Sequence, residues 1–370
     1  MEIVGLTELE VRQLEEYFGS LYTGPVKLLS CRPLGIESKS ENDLKGFGYG
    51  VPYLIEFSSQ GTVRKVVLQT MNPEGFGHEH FSDRAKILLW QHSVFNKLPK
   101  HVRSVDVGAF RKDGRSLRSL GDSVEFFIVT EFAEGRLYHT DLDRIKAKGQ
   151  LNVLDEKRCS ALSDYLAEIH SVKHHSSSLY IRRIRELVGH AECIMGLLDS
   201  YPRKSDFYQE SQLIDIELSC VSWRWWLKRL AHRLSQVHGD FHPWNILFQD
   251  GVDFKSLDRS RGEWGEPADD VASLSINFLF YSLRKHKRLA GSFERLFEIF
   301  WENYLSKTSD HEILNVIQPF YAWRALVLAS PIWYPSLNTE IRAKLLNFAR
   351  NILQVKKLDL KNINSYCEKA

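Results

Sequence analysis

The period of the apolar residues changes once along this chain, and that change constrains its fold more than any other feature. From residue 26 to about 132 the apolar residues come in short β-rich runs: VKLLSCRPL, GVPYLIEF, TVRKVVLQTM and VEFFIVTEF. One stretch interrupts them, with Phe81, Ala85, Leu88, His92 and Phe95 at helical spacing. After Gly135 the helical period dominates. RCSALSDYLAEIHSVK puts Leu162, Leu166 and Ile169 on one face, and GSFERLFEIFWENYL and EIRAKLLNFARNIL are long and amphipathic. Ahead of all these, Thr7 and Glu10 have capping-box spacing before Val11, Leu14 and Phe18, which predicts a helix ending near Gly19. At 370 residues the chain is about twice the usual domain size. The expected class is α+β: an N-terminal helix over 1–25, a small antiparallel sheet with one main helix over 26–133, and a larger helical part over 134–370. Such a succession suggests a cleft between the two larger parts.

Composition narrows the partners. The 49 basic and 47 acidic side chains leave a formal charge of +2, which offers no electrostatic footprint for nucleic acid or an anionic membrane. Cys31, Cys159, Cys193, Cys220 and Cys367 are scattered and nowhere spaced C-x-x-C. That argues against a disulfide framework or zinc site and for a reducing compartment. No stretch reaches eighteen apolar residues, and MEIVGLTELEVRQLEEYFG lacks the basic and apolar regions of a signal peptide. The expectation is a soluble, cytoplasmic protein with small partners.

The chemistry concentrates in VHGDFHPWNILFQDGVDFKSLD, residues 237–258. Asp250-Gly251 is a hairpin signal, because a type I′ turn needs positive φ at both central positions. With ILFQ and VDFKSL as the arms, Asn245 and Asp258 fall near the same open end, on opposite strands. Both are hard oxygen donors, of the kind Mg²⁺ takes while it also holds substrate phosphates. Asp240 precedes the first arm, placed to align and deprotonate an attacking hydroxyl. Base and two metal ligands then face one point, the layout of phosphoryl transfer.

His238-Gly239-Asp240 with Asn245 five residues on, a hairpin and then Asp258 resembles the phosphotransfer loop of the aminoglycoside phosphotransferase and choline kinase family. VTEFAEG at 129–135 resembles that family's hinge strand, YLAEIHSV at 165–172 its helix ending in Leu-x-x-Leu-His, and GEPADDVASL at 265–274 its Gly-x-Pro-x-x-Asp-Leu-Ala element. The resemblance spans roughly residues 26–280. It implies a two-lobed protein-kinase-like fold and transfer of phosphate from ATP or GTP, with Mg²⁺, to a hydroxyl of a small molecule. Asp240 would be the base, Asn245 and Asp258 the metal ligands, and His238 and Asp270 the structural supports of the loop. The backbone of Glu131, Phe132 and Ala133 would hold the adenine. The glycines of KGFGYG, Gly46, Gly48 and Gly50, would cover the phosphates.

The chain departs from this family where a Lys or Arg is usual on the third strand: TVRKVVLQTM has Gln69 there. Lys65 shares its face but lies about 13 Å away along a strand, so Lys45 or Arg84 is the substitute cation. Asp83 and Glu79 are the candidates for its acidic partner. Arg259 follows Asp258 where an aromatic residue is commoner. Gln69 favours one rival, a nucleotide-binding pseudokinase without turnover. A second rival, a protein Ser/Thr kinase, lacks Ala-Pro-Glu and has little room for a peptide platform between Asp258 and Asp269. His78-Glu79-His80 has no third ligand for a metal, and WRWW and YAWRALVLASPIWYP read as core aromatics before a cage for a cationic amine.

Overall fold

The computed structural model describes residues 11–34, 52–73, 77–97, 101–112 and 116–369. It divides into two compact units, Met1–Thr130 and Glu131–Ala370. In the first, helix α1 (Val11–Leu21) leads into strands β1 (Val26–Pro33), β2 (Pro52–Ser59) and β3 (Thr62–Gln69). Helix α2 (Phe81–Phe95) and the short strands β4 (Gly108–Phe110) and β5 (Leu117–Ser119) follow.

Strands β1, β2 and β3 form an antiparallel sheet in that order. The β2–β3 connection is only Gln60-Gly61, with φ of 50° and 76°, the conformation a two-residue primed turn requires. Ile55 and Phe57, two apart on β2, share a face and meet Leu14 and Phe18, four apart on α1. The Phe18 and Phe57 rings stack at 4.8 Å. Burying four such side chains contributes about 1.5–3 kcal/mol each, enough to tie α1 to the sheet.

One expected strand is absent. Residues 124–129 of VEFFIVTEF pair with no strand among the described residues, and Val124, Phe127, Ile128 and Val129 are at least 83% exposed. A run without period-2 alternation has no preferred face and forms a stable strand only when both faces are covered. Among the described residues no such layer covers Val124, Phe127, Ile128 or Val129.

The second unit begins with β6 (Arg136–Leu137), α3 (Tyr138–Lys148), α4 (Val153–Ser171), α5 (Ser177–Gly189), α6 (Ile194–Asp199) and α7 (Glu210–Leu227). Four short strands follow: β7 (Ser235–Gln236), β8 (Ile246–Phe248), β9 (Phe254–Ser256) and β10 (Trp264–Gly265). They pair as β6–β8–β9 and β10–β7, all antiparallel. Helices α8 (Pro267–His286), α9 (Gly291–Thr308), α10 (Gln318–Ala329), α11 (Thr339–Ile352) and α12 (Ile363–Tyr366) complete the unit.

Helix α8 is its axis: every residue from Pro267 to Leu283 is buried. Glu266 caps its start, Pro267 occupies the first turn without losing a needed donor, and Asp269 and Asp270 face the positive end of the helix dipole. Glu266 is itself anchored, accepting from Tyr180 at 2.7 Å and from Arg233 at 2.8 Å. Arg233 also donates to Asp310 at 2.8 Å.

Burial pushes the Asp310 carboxyl up, but the Arg233 hydrogen bond and charge outweigh it and hold the pKa below the ordinary 3.8. A carboxyl depressed by folding contributes stability that is complete above its unfolded pKa and is lost as pH falls through the folded value. Urea midpoints for wild type and Asp310→Asn should therefore differ most near neutral pH and converge below about pH 4. A gap unchanged down to about pH 2 would contradict the assignment.

Candidate active site

The loop from His238 to Asn245 joins β7 to β8, and α8 holds it from below. Asp270, completely buried, accepts hydrogen bonds from the backbone N–H of His238 at 2.8 Å and of Gly239 at 2.7 Å. Its Oδ2 also meets His170 Nε2 at 3.1 Å, while His170 Nδ1 lies 2.8 Å from the Tyr304 hydroxyl. The His that ends α4 and the Asp that starts α8 thus clamp the loop. Gly239 takes φ of 84°, and a Cβ there would lie 3.0 Å from the Arg261 side chain, so the turn both needs and fits glycine. The buried His238 accepts from Asp240 N–H through Nδ1 at 3.3 Å, and burial holds its pKa below the usual value.

Sequence reasoning missed Arg324, on α10. Its guanidinium donates to Asp240 Oδ1 at 2.5 Å, to Asp269 Oδ1 at 2.7 Å and to the Gly239 carbonyl at 3.0 Å. The available signal was a lone charge inside an apolar helix, QPFYAWRALVLA: a buried guanidinium demands a carboxylate. Burial alone would raise the Asp240 pKa; the Arg324 charge and His242 reverse this and hold it far below the carboxylate range. Asp269 shares the same cation, yet burial dominates and its pKa is raised. With Oδ1 committed to Arg324, Asp240 Oδ2 lies 3.5 Å from both His242 Nε2 and Asn245 Nδ2.

The hairpin differs in its tip from the expected two-residue turn. Gln249 N–H bonds to the Asp253 carbonyl at 2.8 Å, and only Gly251 has positive φ. Buried Arg158 explains the wider loop, donating to the carbonyls of Gly251 at 2.8 Å and Gln249 at 3.2 Å. At the open end the ladder runs Phe248↔Phe254, Leu247↔Lys255, Ile246↔Ser256, and then Leu257 N–H to the Asn245 carbonyl at 2.8 Å. Asn245 and Asp258 therefore sit at the same end. Asn245 Nδ2 donates to the Asp240 carbonyl at 3.1 Å, which turns Oδ1 away. That oxygen and the exposed Asp258 carboxylate make no hydrogen bond or ion pair to a described residue. Arg259 braces the turn after Asp258, donating to the Val237 carbonyl at 2.9 Å and the Glu263 carbonyl at 3.1 Å.

The remaining candidates lie elsewhere in the chain. Gly46, Gly48, Gly50 and Lys45 fall outside the described residues. Gln69 ends β3, exposed, opposite Pro52. Lys65 is paired with Glu56 at 3.0 Å. Arg84 is bonded to the His78 carbonyl at 2.7 Å, and Asp83 caps α2 through the His80 N–H at 2.9 Å. Glu131 and Phe132 are exposed and Ala133 half-buried, in a segment without a ladder. Trp244 stacks on His139 at 5.3 Å beside the loop.

Residues 88–295 match the model of the phosphotransferase enzyme family, APH. Among solved structures, glucosamine kinase in complex with glucosamine, ADP and inorganic phosphate matches at TM-score 0.37 and 15% identity, over 55% of this chain and 57% of that one. This chain thus spans little more than half of that kinase's length. The amicoumacin kinase hAmiN in complex with AMP-PNP, Ca²⁺ and Ami matches at 0.41 and 15%, over 86% and 90%. Choline kinase LicA from Streptococcus pneumoniae matches at 0.34 and 12%, over 92% and 98%. No curated protein matches the chain. The chain belongs to the phosphotransferase enzyme family.

Proposed function

We propose that the chain transfers the γ-phosphoryl group of ATP or GTP, with Mg²⁺, to a hydroxyl of a small molecule in the cytoplasm. The observation that carries the reading is the pair of oxygens without a described partner, Asn245 Oδ1 and the Asp258 carboxylate, at one hairpin end, with Asn245 Nδ2 3.5 Å from Asp240 Oδ2. Among the described residues no three His, Cys, Asp or Glu side chains converge. A donor set of one amide and one carboxylate suits Mg²⁺, which takes its remaining ligands from water and nucleotide phosphates. Bound there, Mg²⁺ would neutralise charge on the transferring phosphate.

Asp240 orients the acceptor hydroxyl through Oδ2 and receives its proton as the new oxygen–phosphorus bond forms and the bond to the nucleoside diphosphate breaks. Held by Arg324, the carboxylate contributes mainly by aligning the hydroxyl. Arg324 fixes the carboxylate, and Asp270 and His238 fix the backbone beneath it. Gly46, Gly48, Gly50 and Gln69 are assigned to the nucleotide phosphates and Glu131, Phe132 and Ala133 to the base. The acceptor falls to the helical segments after Glu263. The short chain from Asp258 to Asp269, with only the two-residue β10, leaves little for a peptide to dock on.

Gln69 supports a second reading, nucleotide binding without turnover, because Lys65 is already paired with Glu56 and cannot easily replace a missing phosphate contact. Phosphorus NMR of Mg-ATP with pooled hydroxyl-bearing metabolites separates the two. A new phosphomonoester resonance that grows with enzyme supports transfer; nucleotide binding without one, across the pools, favours the second reading.

A further inference from the structure

His242 is held by its neighbours with one ring N–H to spare. The Trp244 backbone N–H donates to His242 Nδ1 at 3.2 Å, so Nδ1 offers its lone pair and the ring proton sits on Nε2. The backbone pins the residue as well: His242 N–H donates to the Asp240 carbonyl at 3.0 Å, and the His242 carbonyl accepts from Asn245 N–H at 2.9 Å. The ring meets Trp244 edge to face at 5.9 Å, and Trp244 is backed by His139 at 5.3 Å and Tyr334 at 6.3 Å.

Nε2 lies 3.5 Å from Asp240 Oδ2, beyond the roughly 2.7–3.2 Å of a good N–H···O bond, and bonds to no other described residue. The side chain is 27% exposed, within reach of a ligand. An unspent donor therefore stands beside the carboxylate oxygen assigned to the acceptor hydroxyl. It is unsuited to be a base, because its one lone pair is occupied by Trp244 N–H. The hydroxyl is not its best partner either: that oxygen must turn a lone pair toward phosphorus, and a donor there would blunt the attack. The phosphoryl group spreads charge over three non-bridging oxygens during transfer, and a fixed N–H beside it stabilises that charge.

We propose that His242 is a further catalytic residue, whose Nε2–H donates to a non-bridging oxygen of the transferring phosphoryl group; the role presupposes the phosphoryl transfer proposed above. The acceptor oxygen forms its bond to phosphorus and gives its proton to Asp240 Oδ2 while the bond to the nucleoside diphosphate breaks. His242 keeps its own proton throughout.

Two substitutions divide the ring's two functions. In His242→Asn the side-chain oxygen takes the place of Nδ1 and still accepts from Trp244 N–H, but no donor reaches the Nε2 position. In His242→Gln the amide N–H reaches that position. His242→Asn should lower kcat by about 10²–10³-fold, the cost of one missing preorganised donor, at a nearly unchanged nucleotide KM. His242→Gln retains the donor and should stay within about 10-fold of wild type. Circular dichroism verifies both folds. The opposite order, with Asn active and Gln slow, would leave His242 only holding the loop and overturn the proposal. So would equal rates in all three proteins, or equal losses in the two variants.

Nitrogen NMR decides the matter without turnover. Wild type should carry the His242 proton on Nε2, and that resonance should shift when Mg-ADP and aluminium fluoride, a mimic of the planar phosphoryl group, are added. A proton on Nδ1, or an Nε2–H indifferent to the mimic, would overturn the role. The shift without any phosphate transfer by wild type would sink the proposed turnover while supporting the donor.

Discussion

Asp240→Asn should lower turnover by about 10²–10⁴-fold, the range expected when a positioned proton acceptor is removed, with little change in nucleotide affinity. The substitution keeps the shape of the side chain and leaves an oxygen for Arg324, but removes the charge that orients a hydroxyl and takes its proton. Arg324 retains Asp269 at 2.7 Å and the Gly239 carbonyl at 3.0 Å, so the guanidinium is not stranded. The check is the rate of ADP release from Mg-ATP with an acceptor found by phosphorus NMR, alongside circular dichroism to verify folding. An unchanged rate would remove Asp240 from the mechanism. A raised KM at constant turnover would make it a binding residue only.

The largest loss of stability is expected at Asp270. Asp270→Ala deletes the acceptor of two backbone N–H groups, at 2.8 and 2.7 Å, in a position with no access to water. Each buried donor left unpaired costs about 1–3 kcal/mol, and His170 loses the partner that pins α4 to α8. Folding should weaken by about 3–5 kcal/mol, as when one side of a buried charged contact is removed, read as a lower urea midpoint at unchanged slope. A change under about 1 kcal/mol would mean that the loop is held by the strands on either side of it. The two variants separate the roles proposed for two carboxylates thirty residues apart, chemistry for Asp240 and support of the loop for Asp270.

The loop and its hairpin were legible in the sequence because their determinants are local. Gly239 and Gly251 adopt the positive φ that glycine permits, and a short alternating ladder carries Asn245 and Asp258 to one end. GEPADDVASL was recognised only by its resemblance to a family element, although its capping Glu, Pro and two Asp are themselves a compact helix-start signal. Arg324 was legible only as a lone charge in an apolar helix that needs a carboxylate; which carboxylate was not, because Asp240 lies 84 residues away in the chain. Arg158, which widens the hairpin tip from 93 residues away, escaped for the same reason. VEFFIVTEF failed in the opposite way: its composition favours a strand, but strand formation depends on neighbours that composition does not encode. WRWW was similarly read as core, although Trp225 is 56% and Trp226 37% exposed, since helical spacing alone does not say which face turns inward.

The central claim is that Asn245 and Asp258 hold the metal that presents a nucleotide to Asp240. Calorimetric titration of Mg-ATP, repeated with Mg-GTP and without metal, into wild type and Asp258→Asn tests it most directly. The account predicts binding that requires the metal and that Asp258→Asn weakens by at least about 10-fold. Nucleotide affinity indifferent to both metal and Asp258, or no binding by a folded wild type, would contradict it.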